Sequence, residues 1–118
     1  MTTAATAPGA PWPAGHPAEE AHTALLQALT DALEAGLIVP CTQHRGKGNP
    51  WITDGAGAAG QRMARDAAAG CQDCPVMGRC RAYALEAQEA GGVWGGMTAG
   101  ERATEIRNSR TKNRRAAA

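Results

Sequence analysis

Residues 71–96, CQDCPVMGRCRAYALEAQEAGGVWGG, decide how the rest of this chain is interpreted. Three of its four cysteines lie in this stretch, Cys71, Cys74 and Cys80, and Trp94 follows between two glycine pairs. The fourth cysteine, Cys41, lies far upstream. If the four act together, the chain must fold back on itself, so the local spacing constrains the whole fold.

The composition predicts one small domain that needs a staple. The chain has 118 residues, and although 43% of them are hydrophobic, much of that share is alanine and there is no Phe. So little apolar area rarely stabilises a fold alone, and four cysteines can add two disulfides, a zinc ion or an iron–sulfur cluster. The N-terminus lacks the basic start and apolar run of a signal peptide, and no stretch is long enough to cross a membrane. We therefore expect a cytoplasmic protein without membrane contact, where four cysteines more often hold a metal.

Apolar periodicity predicts an all-α fold, a small bundle of about four short helices. The first helix covers residues 18–35 with Gly36 as its stop, and its apolar stripe contains Ala21, Leu25, Leu29 and Leu33, with Leu26 and Ala32 beside it. The second covers about 58–69 and ends at Gly70. Its expected buried residues are Met63, Ala64, Ala67 and Ala68.

The third and fourth helices follow the cysteine motif. Pro75 suits the first position of a helix that runs to about Ala90 and ends at Gly91 and Gly92. Its expected apolar stripe is Val76, Cys80, Tyr83, Ala84 and Ala87. Thr98 and Glu101 form a capping box, so a fourth helix should begin at Ala99 and turn Ala103 and Ile106 inward.

Both ends of the chain differ from the middle. Residues 1–17 are rich in proline and are predicted as a disordered arm before the domain at 18–107, with Trp12 as the one residue there able to dock. Residues 108–118 are predicted to fray into a basic tail. Six cations and one acid lie within residues 102–118, which favours contact with phosphates. The candidate DNA contacts are Arg107, Arg110, Lys112, Arg114 and Arg115.

The cysteine spacing restricts the metal site. Within one regular helix Cys74 and Cys80 would lie about 120° apart around the axis and about 9 Å apart along it, so they could not share a ligand. We therefore expect Cys74 to cap the helix, Cys71 to lie in the preceding turn and Cys80 to reach up from the second turn. Such a spread suits a cluster better than a single ion. The helix N-terminus should also lower the pKa of the Cys74 thiol.

These residues together carry a family signature. Cys41, the Cys71-x-x-Cys74 motif with Pro75 and Val76, Cys80, then GVWGG at 92–96 and Glu101-Arg102 resemble the WhiB-like proteins, small iron–sulfur transcription factors. The resemblance spans residues 41 to about 107. It implies a 4Fe-4S cluster on Cys41, Cys71, Cys74 and Cys80, and a small helical fold around that cluster.

The resemblance also implies two partners. The first is the C-terminal domain of the primary sigma factor, which would be bound with help from the turn of Gly92, Val93, Trp94, Gly95 and Gly96. The second is promoter DNA, touched by the basic C-terminus. The glycines beside Trp94 would clear space for the partner, although Trp94 could instead cover the core. We interpret Trp51 as core or as a shield for the cluster; Pro50-Trp51-Ile52 stands where the family usually has a Phe-rich stretch.

Other interpretations of the cysteines stay open at this point. Cys41-x-x-His44 with Cys71 and Cys74 also spells a Cys3His zinc site, which would make the chain a zinc-stapled adaptor. A CxxC pair at a helix start is also the geometry of thiol–disulfide oxidoreductases, although no βαβ pattern surrounds it here. We expect a regulator that is not an enzyme and has no small-molecule substrate.

Overall fold

The computed structural model describes residues 12–43, 49–53 and 55–117. Four α-helices follow in chain order: α1 Pro17–Glu34, α2 Gly57–Gly70, α3 Met77–Ala87 and α4 Ala99–Ala117. Short 3₁₀ turns lie at Pro40–Gln43, Pro50–Ile52 and Cys71–Asp73. Within these ranges the only β pairing is an isolated bridge between Trp94 and Met97, so the predicted all-α class is confirmed.

Helix α1 packs along α3 and ends as predicted. Gly36 adopts a left-handed φ of 77°, and Leu37 N–H donates to the Ala32 carbonyl at 2.9 Å, which closes the helix end. Leu25 and Ala32 are buried, but Leu33 is 54% exposed, so its predicted place in the core is wrong. At 18 residues α1 is about 27 Å long, whereas the 11 residues of α3 span about 16 Å, so α3 cannot cover all of α1.

Helix α2 confirms most of its predicted buried face. It begins and ends one residue outside the predicted range, and Ala64, Ala67 and Ala68 are buried. Met63 is 41% exposed, so its predicted burial is wrong. The small alanines allow α2 to lie close to the turns at Pro50–Ile52 and Cys71–Asp73.

Helix α3 is shorter than predicted at both ends. Pro75 and Val76 form a turn, and the helix begins at Met77. It ends at Gln88, which adopts a left-handed conformation with φ 54°, and Glu89 N–H donates to the Ala84 carbonyl at 3.0 Å. The prediction that Gly91 and Gly92 end the helix is therefore wrong. A left-handed φ costs more free energy for glutamine than for glycine. The glycine pair therefore looked like the better helix end, although it lies downstream of the true one.

The last part of the predicted disordered arm has a defined place. Trp12 lies edge-on to Tyr83 with ring centroids 5.8 Å apart, and His16 caps α1 by accepting from Ala18 N–H. Pro17 is already the first residue of α1. For residues 12–17 the prediction of disorder is wrong because the indole of Trp12 packs on the core. Residues 1–11 of that arm lie outside the described residues.

Helix α4 begins as predicted and continues much further. The capping box is confirmed: Glu101 N–H donates to Thr98 Oγ1 at 3.2 Å, and Thr98 N–H donates to Glu101 Oε1 at 2.9 Å. The helix runs to Ala117, so the prediction that the tail frays is wrong across 108–117. Ile106 is partly buried, but Ala103 is exposed, which corrects its predicted inward position.

Two small apolar clusters make up the core. The first joins α1 to α3 and contains Leu25, Ala32, Val39, Val76 and Tyr83. The second lies against α2 and contains Ala64, Ala67, Ala68, Cys71 and Val93. Cys74 and Cys80 pack on the first cluster, whereas Cys71 belongs to the second, so the cysteines lie where the two clusters meet. Among the described helices, none is long and apolar enough to cross a membrane.

Candidate metal centre and the turn beside it

The fold brings all four cysteines to one cavity. Cys41, Cys71, Cys74 and Cys80 line a space of about 500 Å³ whose other walls include Leu29, Val39, Trp51, Val76 and Trp94. Cys41 is exposed, Cys71 is buried, and Cys74 and Cys80 are partly exposed. The long-range closure that the sequence required between Cys41 and the other three is therefore present in the fold.

Each cysteine reaches the cavity from a different local structure. Cys41 lies in the 3₁₀ turn directly after the buried Val39, which anchors that turn. Cys71 opens the 3₁₀ turn that follows α2, and its carbonyl accepts from Cys74 N–H at 3.0 Å. Cys74 is extended, as a residue before proline should be. Because α3 begins at Met77, Cys80 lies in the first turn of the helix and not in the second.

The arrangement is more open than a single-ion site. In the described part of the chain, no three His, Cys, Asp or Glu side chains are grouped closely enough to hold one metal ion. The four thiols instead line one shared cavity. The alternative Cys3His site depends on His44, which lies outside the described residues.

Burial dominates the chemistry of three thiols. Loss of solvent is the main effect that raises the pKa of Cys80 to about 11, and the neighbouring cysteines raise it further. A hydrogen bond from Gly95 N–H acts in the opposite direction and lowers it. Partial loss of solvent at its sulfur also raises the pKa of Cys41, although the residue as a whole is exposed. The same effect raises the pKa of Cys74, despite a hydrogen bond from Val76 N–H. The prediction that the helix N-terminus lowers the pKa of Cys74 is therefore wrong, because desolvation is the larger effect. Metal binding here would release protons.

Trp51 contacts the metal centre directly. Its indole Nε1–H donates to Cys71 Sγ at 3.3 Å, and its ring lines the cavity. Its carbonyl accepts from Val93 N–H at 2.7 Å, which ties the 3₁₀ turn at Pro50–Ile52 to the turn that carries Trp94. The sequence suggested a shield or core residue here, but it gave no sign of a hydrogen bond to sulfur.

The Trp94 turn, residues 91–97, is fastened to the protein through its backbone. Gly95 N–H donates to Cys80, and the Gly95 carbonyl accepts from Arg81 Nε at 2.9 Å. Gly95 is buried with φ 58°, and a Cβ there would overlap the backbone of Arg81. The expectation that this glycine clears space for a partner is therefore wrong; it lets the turn lie against α3.

Trp94 itself is only partly covered. One side of its ring lies 5.3 Å from the Tyr83 ring, centroid to centroid, and its Nε1–H donates to the Gly91 carbonyl at 3.0 Å. Tyr83 is in turn fixed by a 2.8 Å hydrogen bond to Glu89 Oε2. The indole therefore has a set orientation at the rim of the cysteine cavity and remains partly exposed.

Sequence reasoning missed the role of Arg102. It was counted among the tail cations, yet it is fully buried and lies across the back of the Trp94 turn. Its guanidinium donates to four backbone carbonyls at 2.8–3.3 Å, those of Glu89, Gly91, Gly92 and Met97. Burial lowers its pKa, although an arginine stays charged at neutral pH. The sequence carried two signals: the place of Arg102 beside Glu101 in the family signature, and its position four residues after Thr98, on the inner side of a capped helix.

The five candidate DNA contacts remain on the surface. Arg107, Arg110, Lys112, Arg114 and Arg115 are all exposed on α4. Arg107, Arg110 and Arg114 have the i, i+3, i+7 spacing of one helix stripe, and Arg110 Nη2 donates to Gln88 Oε1 at 2.7 Å. The structure therefore presents the cations on a helix whose first turn is anchored by Arg102.

The chain is similar to one family of transcription factors and to several individual proteins. The family model described as Transcription factor WhiB matches residues 43–104. The transcriptional regulator WhiB1 of Mycobacterium tuberculosis is 44% identical over 61 residues, which cover 49% of this chain and 73% of WhiB1. The transcriptional regulator WhiD of Streptomyces coelicolor is 44% identical over 62 residues, 52% of this chain and 54% of WhiD. No solved structure matches.

A shorter similarity adds a redox-related relative. The redox- and pH-responsive transcriptional regulator WhiB3 of M. tuberculosis is 53% identical over 32 residues, 27% of this chain and 31% of WhiB3. The family match covers more than half of the chain and includes Cys71, Cys74, Cys80 and the Trp94 turn, whereas Cys41 precedes it. On these grounds the chain belongs to the WhiB family of transcription factors.

Proposed function

We propose that this chain is a transcription regulator that holds a 4Fe-4S cluster on Cys41, Cys71, Cys74 and Cys80. The observation that carries the proposal is the single cavity that all four cysteines line. Four thiols are the donor set that such a cluster takes, and their open arrangement suits a group larger than one ion. When bound, the cluster supplies a redox-active centre whose state depends on its surroundings.

The cluster also completes the fold in this proposal. The two apolar clusters of the core are small, and the cysteines come from both sides of the boundary between them. Four covalent attachments across that boundary would add binding free energy to the free energy of folding. Loss of the cluster would then loosen the contact between the α1–α3 pair and the part built on α2. Loss of the cluster would therefore change the conformation of the regulator at this boundary.

The Trp94 turn is the proposed contact with the C-terminal domain of the primary sigma factor. The indole is held by Tyr83 and the Gly91 carbonyl and is partly exposed at the rim of the cysteine cavity. A fixed, partly exposed tryptophan loses little entropy on binding and is a frequent anchor of interfaces. The Gly95–Cys80 hydrogen bond would make the position of this anchor depend on the cluster.

The exposed cations of α4 are the proposed contacts with promoter DNA. Phosphate contacts of this kind strengthen binding and make it salt-dependent without reading sequence. Binding to sigma would set the position of α4 over the promoter, because Arg102 joins α4 to the Trp94 turn. The protein would act in the cytoplasm, as a regulator and not as an enzyme.

The first test concerns the cofactor. Protein purified without oxygen should contain about four iron and four sulfide per chain and a broad visible absorbance. Changing any one of the four cysteines to serine should remove most of both. Protein that holds one zinc and no sulfide would overturn the proposal and favour the zinc-stapled adaptor.

The second test concerns the partner. Trp94→Ala should weaken binding of the isolated sigma C-terminal domain at least tenfold, because truncating an interface anchor costs about 2 kcal/mol or more. Trp12→Ala is the matched control, since it removes another indole that packs on Tyr83. Iron content must be equal in both variants. Equal affinities at equal iron content would show that the turn is not the interface.

A further inference from the structure

The Trp51 side chain donates a hydrogen bond to a sulfur of the cysteine cavity. Its Nε1 lies 3.3 Å from Cys71 Sγ, a normal distance for an N–H donor to sulfur. Cys71 is buried and the bond is partly shielded from water, which strengthens its electrostatic effect. We propose that Trp51 is a positioning residue that tunes the cluster: its N–H raises the reduction potential and slows the release of iron. This inference rests on the proposed cluster.

The orientation of this indole is set by the surrounding fold. The backbone N–H of Trp51 donates to Asn49 Oδ1 at 2.9 Å, and the backbone carbonyl of Trp51 accepts from Val93 N–H at 2.7 Å. The ring lies over Gly70, where a Cβ would come within 3.2 Å of Trp51 Cζ2. Two hydrogen bonds therefore fix the backbone of Trp51, and Gly70 lies against its ring, while the indole N–H points at Cys71.

The bond to Cys71 differs in kind from those to two other cysteines. Cys74 and Cys80 accept backbone N–H groups, from Val76 and Gly95. Backbone donors persist under almost any substitution, whereas the donor at Cys71 belongs to a side chain. Position 51 is therefore a place where a change of one residue alters the field at a cluster sulfur while leaving the four ligands in place.

The direction of the effect follows from charge. Reduction adds one negative charge to the cluster and its thiolates, and an N–H dipole aimed at a sulfur stabilises that added charge. The donor therefore favours the reduced form and raises the potential. The same bond withdraws electron density from Cys71 and keeps its sulfur in place. Partners of metal ligands of this kind typically change metal affinity by about 10- to 100-fold.

Trp51→Phe tests the proposal with Trp94→Phe as its control. Both variants replace an indole that lines the cavity by a smaller ring without an N–H, but the Trp94 N–H donates to the Gly91 carbonyl and not to sulfur. The midpoint potential is measured by anaerobic titration with dithionite, which passes one electron to the cluster while the indole keeps its proton. Iron release to a chelator is followed by the loss of visible absorbance.

We expect Trp51→Phe to lower the midpoint potential and to speed iron release roughly tenfold, with Trp94→Phe close to the native protein. Equal potentials in the three proteins would overturn the role of Trp51 and leave the proposed function standing. A native protein without iron would overturn the proposed function itself.

A second substitution separates the hydrogen bond from the shape of the ring. Benzothienylalanine incorporated at position 51 keeps the outline of tryptophan and replaces the N–H by sulfur. It should reproduce the lower potential of Trp51→Phe. A native potential with this analogue would assign the effect of Trp51→Phe to packing and overturn the proposal, even where the Phe variant loads its cluster poorly.

Discussion

The two ends of α4 carry the same kind of residue in opposite settings. At its start, Arg102 is fully buried and donates to four carbonyls of the segment around the Trp94 turn. At its end, Arg110, Arg114 and Arg115 are exposed. A buried guanidinium organises backbone, because it supplies several donors in a fixed fork. An exposed one leaves the fold almost unaffected and remains available to a ligand. The position of an arginine in the fold, and not its residue type, therefore decides whether it stabilises the structure or remains available for binding.

Among the variants that test this comparison, replacement of Arg102 should lower the free energy of unfolding most. Arg102→Met fills the space but leaves four partly buried carbonyls without their shared donor, so the free energy of unfolding should fall by about 3 kcal/mol or more. Denaturant unfolding followed by circular dichroism measures the change. Arg107→Met, on the exposed side of the same helix, should stay within about 0.5 kcal/mol of the native protein. Equal losses in the two variants would contradict the distinction between the ends.

Gly95→Ala tests how closely the Trp94 turn packs against the backbone of α3. The new Cβ would overlap the Arg81 backbone, and φ 58° is unfavourable for alanine, so we expect a loss of about 2 kcal/mol or more. Gly100→Ala is the matched change in α4, where a Cβ meets nothing within 4 Å. It should stabilise the helix by about 0.5 kcal/mol. The same unfolding assay would count against tight packing of the turn if Gly95→Ala cost no more than Gly100→Ala.

Thr98→Ala should have a smaller effect, because it removes one half of the capping box at the start of α4. Loss of such a cap typically costs about 1 kcal/mol. Thr104→Ala removes a hydroxyl from the exposed side of α4, where it donates to the Gly100 carbonyl and accepts from Arg107 Nη2. It should change stability by less than about 0.5 kcal/mol. Thermal unfolding of both variants checks the difference. If the two cost the same, the box contributes nothing beyond ordinary helix hydrogen bonds.

The exposed end should give the smallest change in stability and a clear change in binding. Replacing Arg110, Arg114 and Arg115 together by Gln should leave the free energy of unfolding within about 0.5 kcal/mol. The slope of log K for duplex DNA against log salt should fall by about 0.9 for each phosphate contact that is lost. The matched control replaces Arg62, Arg65 and Arg79, which are exposed on α2 and α3. Equal slopes in the two triple variants would show that only net charge matters.

Much of the fold could be predicted because its signals are local. Gly36 ends α1 and the Thr98–Glu101 box begins α4, since both depend on the backbone within one turn of the helix. The extended conformation of Cys74 follows in the same way from the proline after it. The common site of the four cysteines was anticipated because their spacing made sense only as a set. All four do line one cavity.

The predictions that were wrong depended on contacts between residues that are distant in the sequence. Leu33 and Met63 fit their apolar stripes but face solvent, because helical periodicity does not say how far the opposing helix extends. Gln88 ends α3 where the glycines gave a stronger local signal. The pKa of Cys74 is raised and not lowered, because burial depends on what packs around the thiol. Trp12 packs on Tyr83, which lies two helices away in the chain.

The sequence by itself therefore determined the helices, their caps, the cysteine set and the family, since each depends on residue types at short or fixed spacing. Only the tertiary structure decided that Arg102 is a buried clamp, that Gly95 allows close packing and that Trp51 donates to Cys71. Each of these roles needs atoms from separate segments to meet, and the free energy of such a contact depends on distance and burial. Neither quantity is written in the order of the residues.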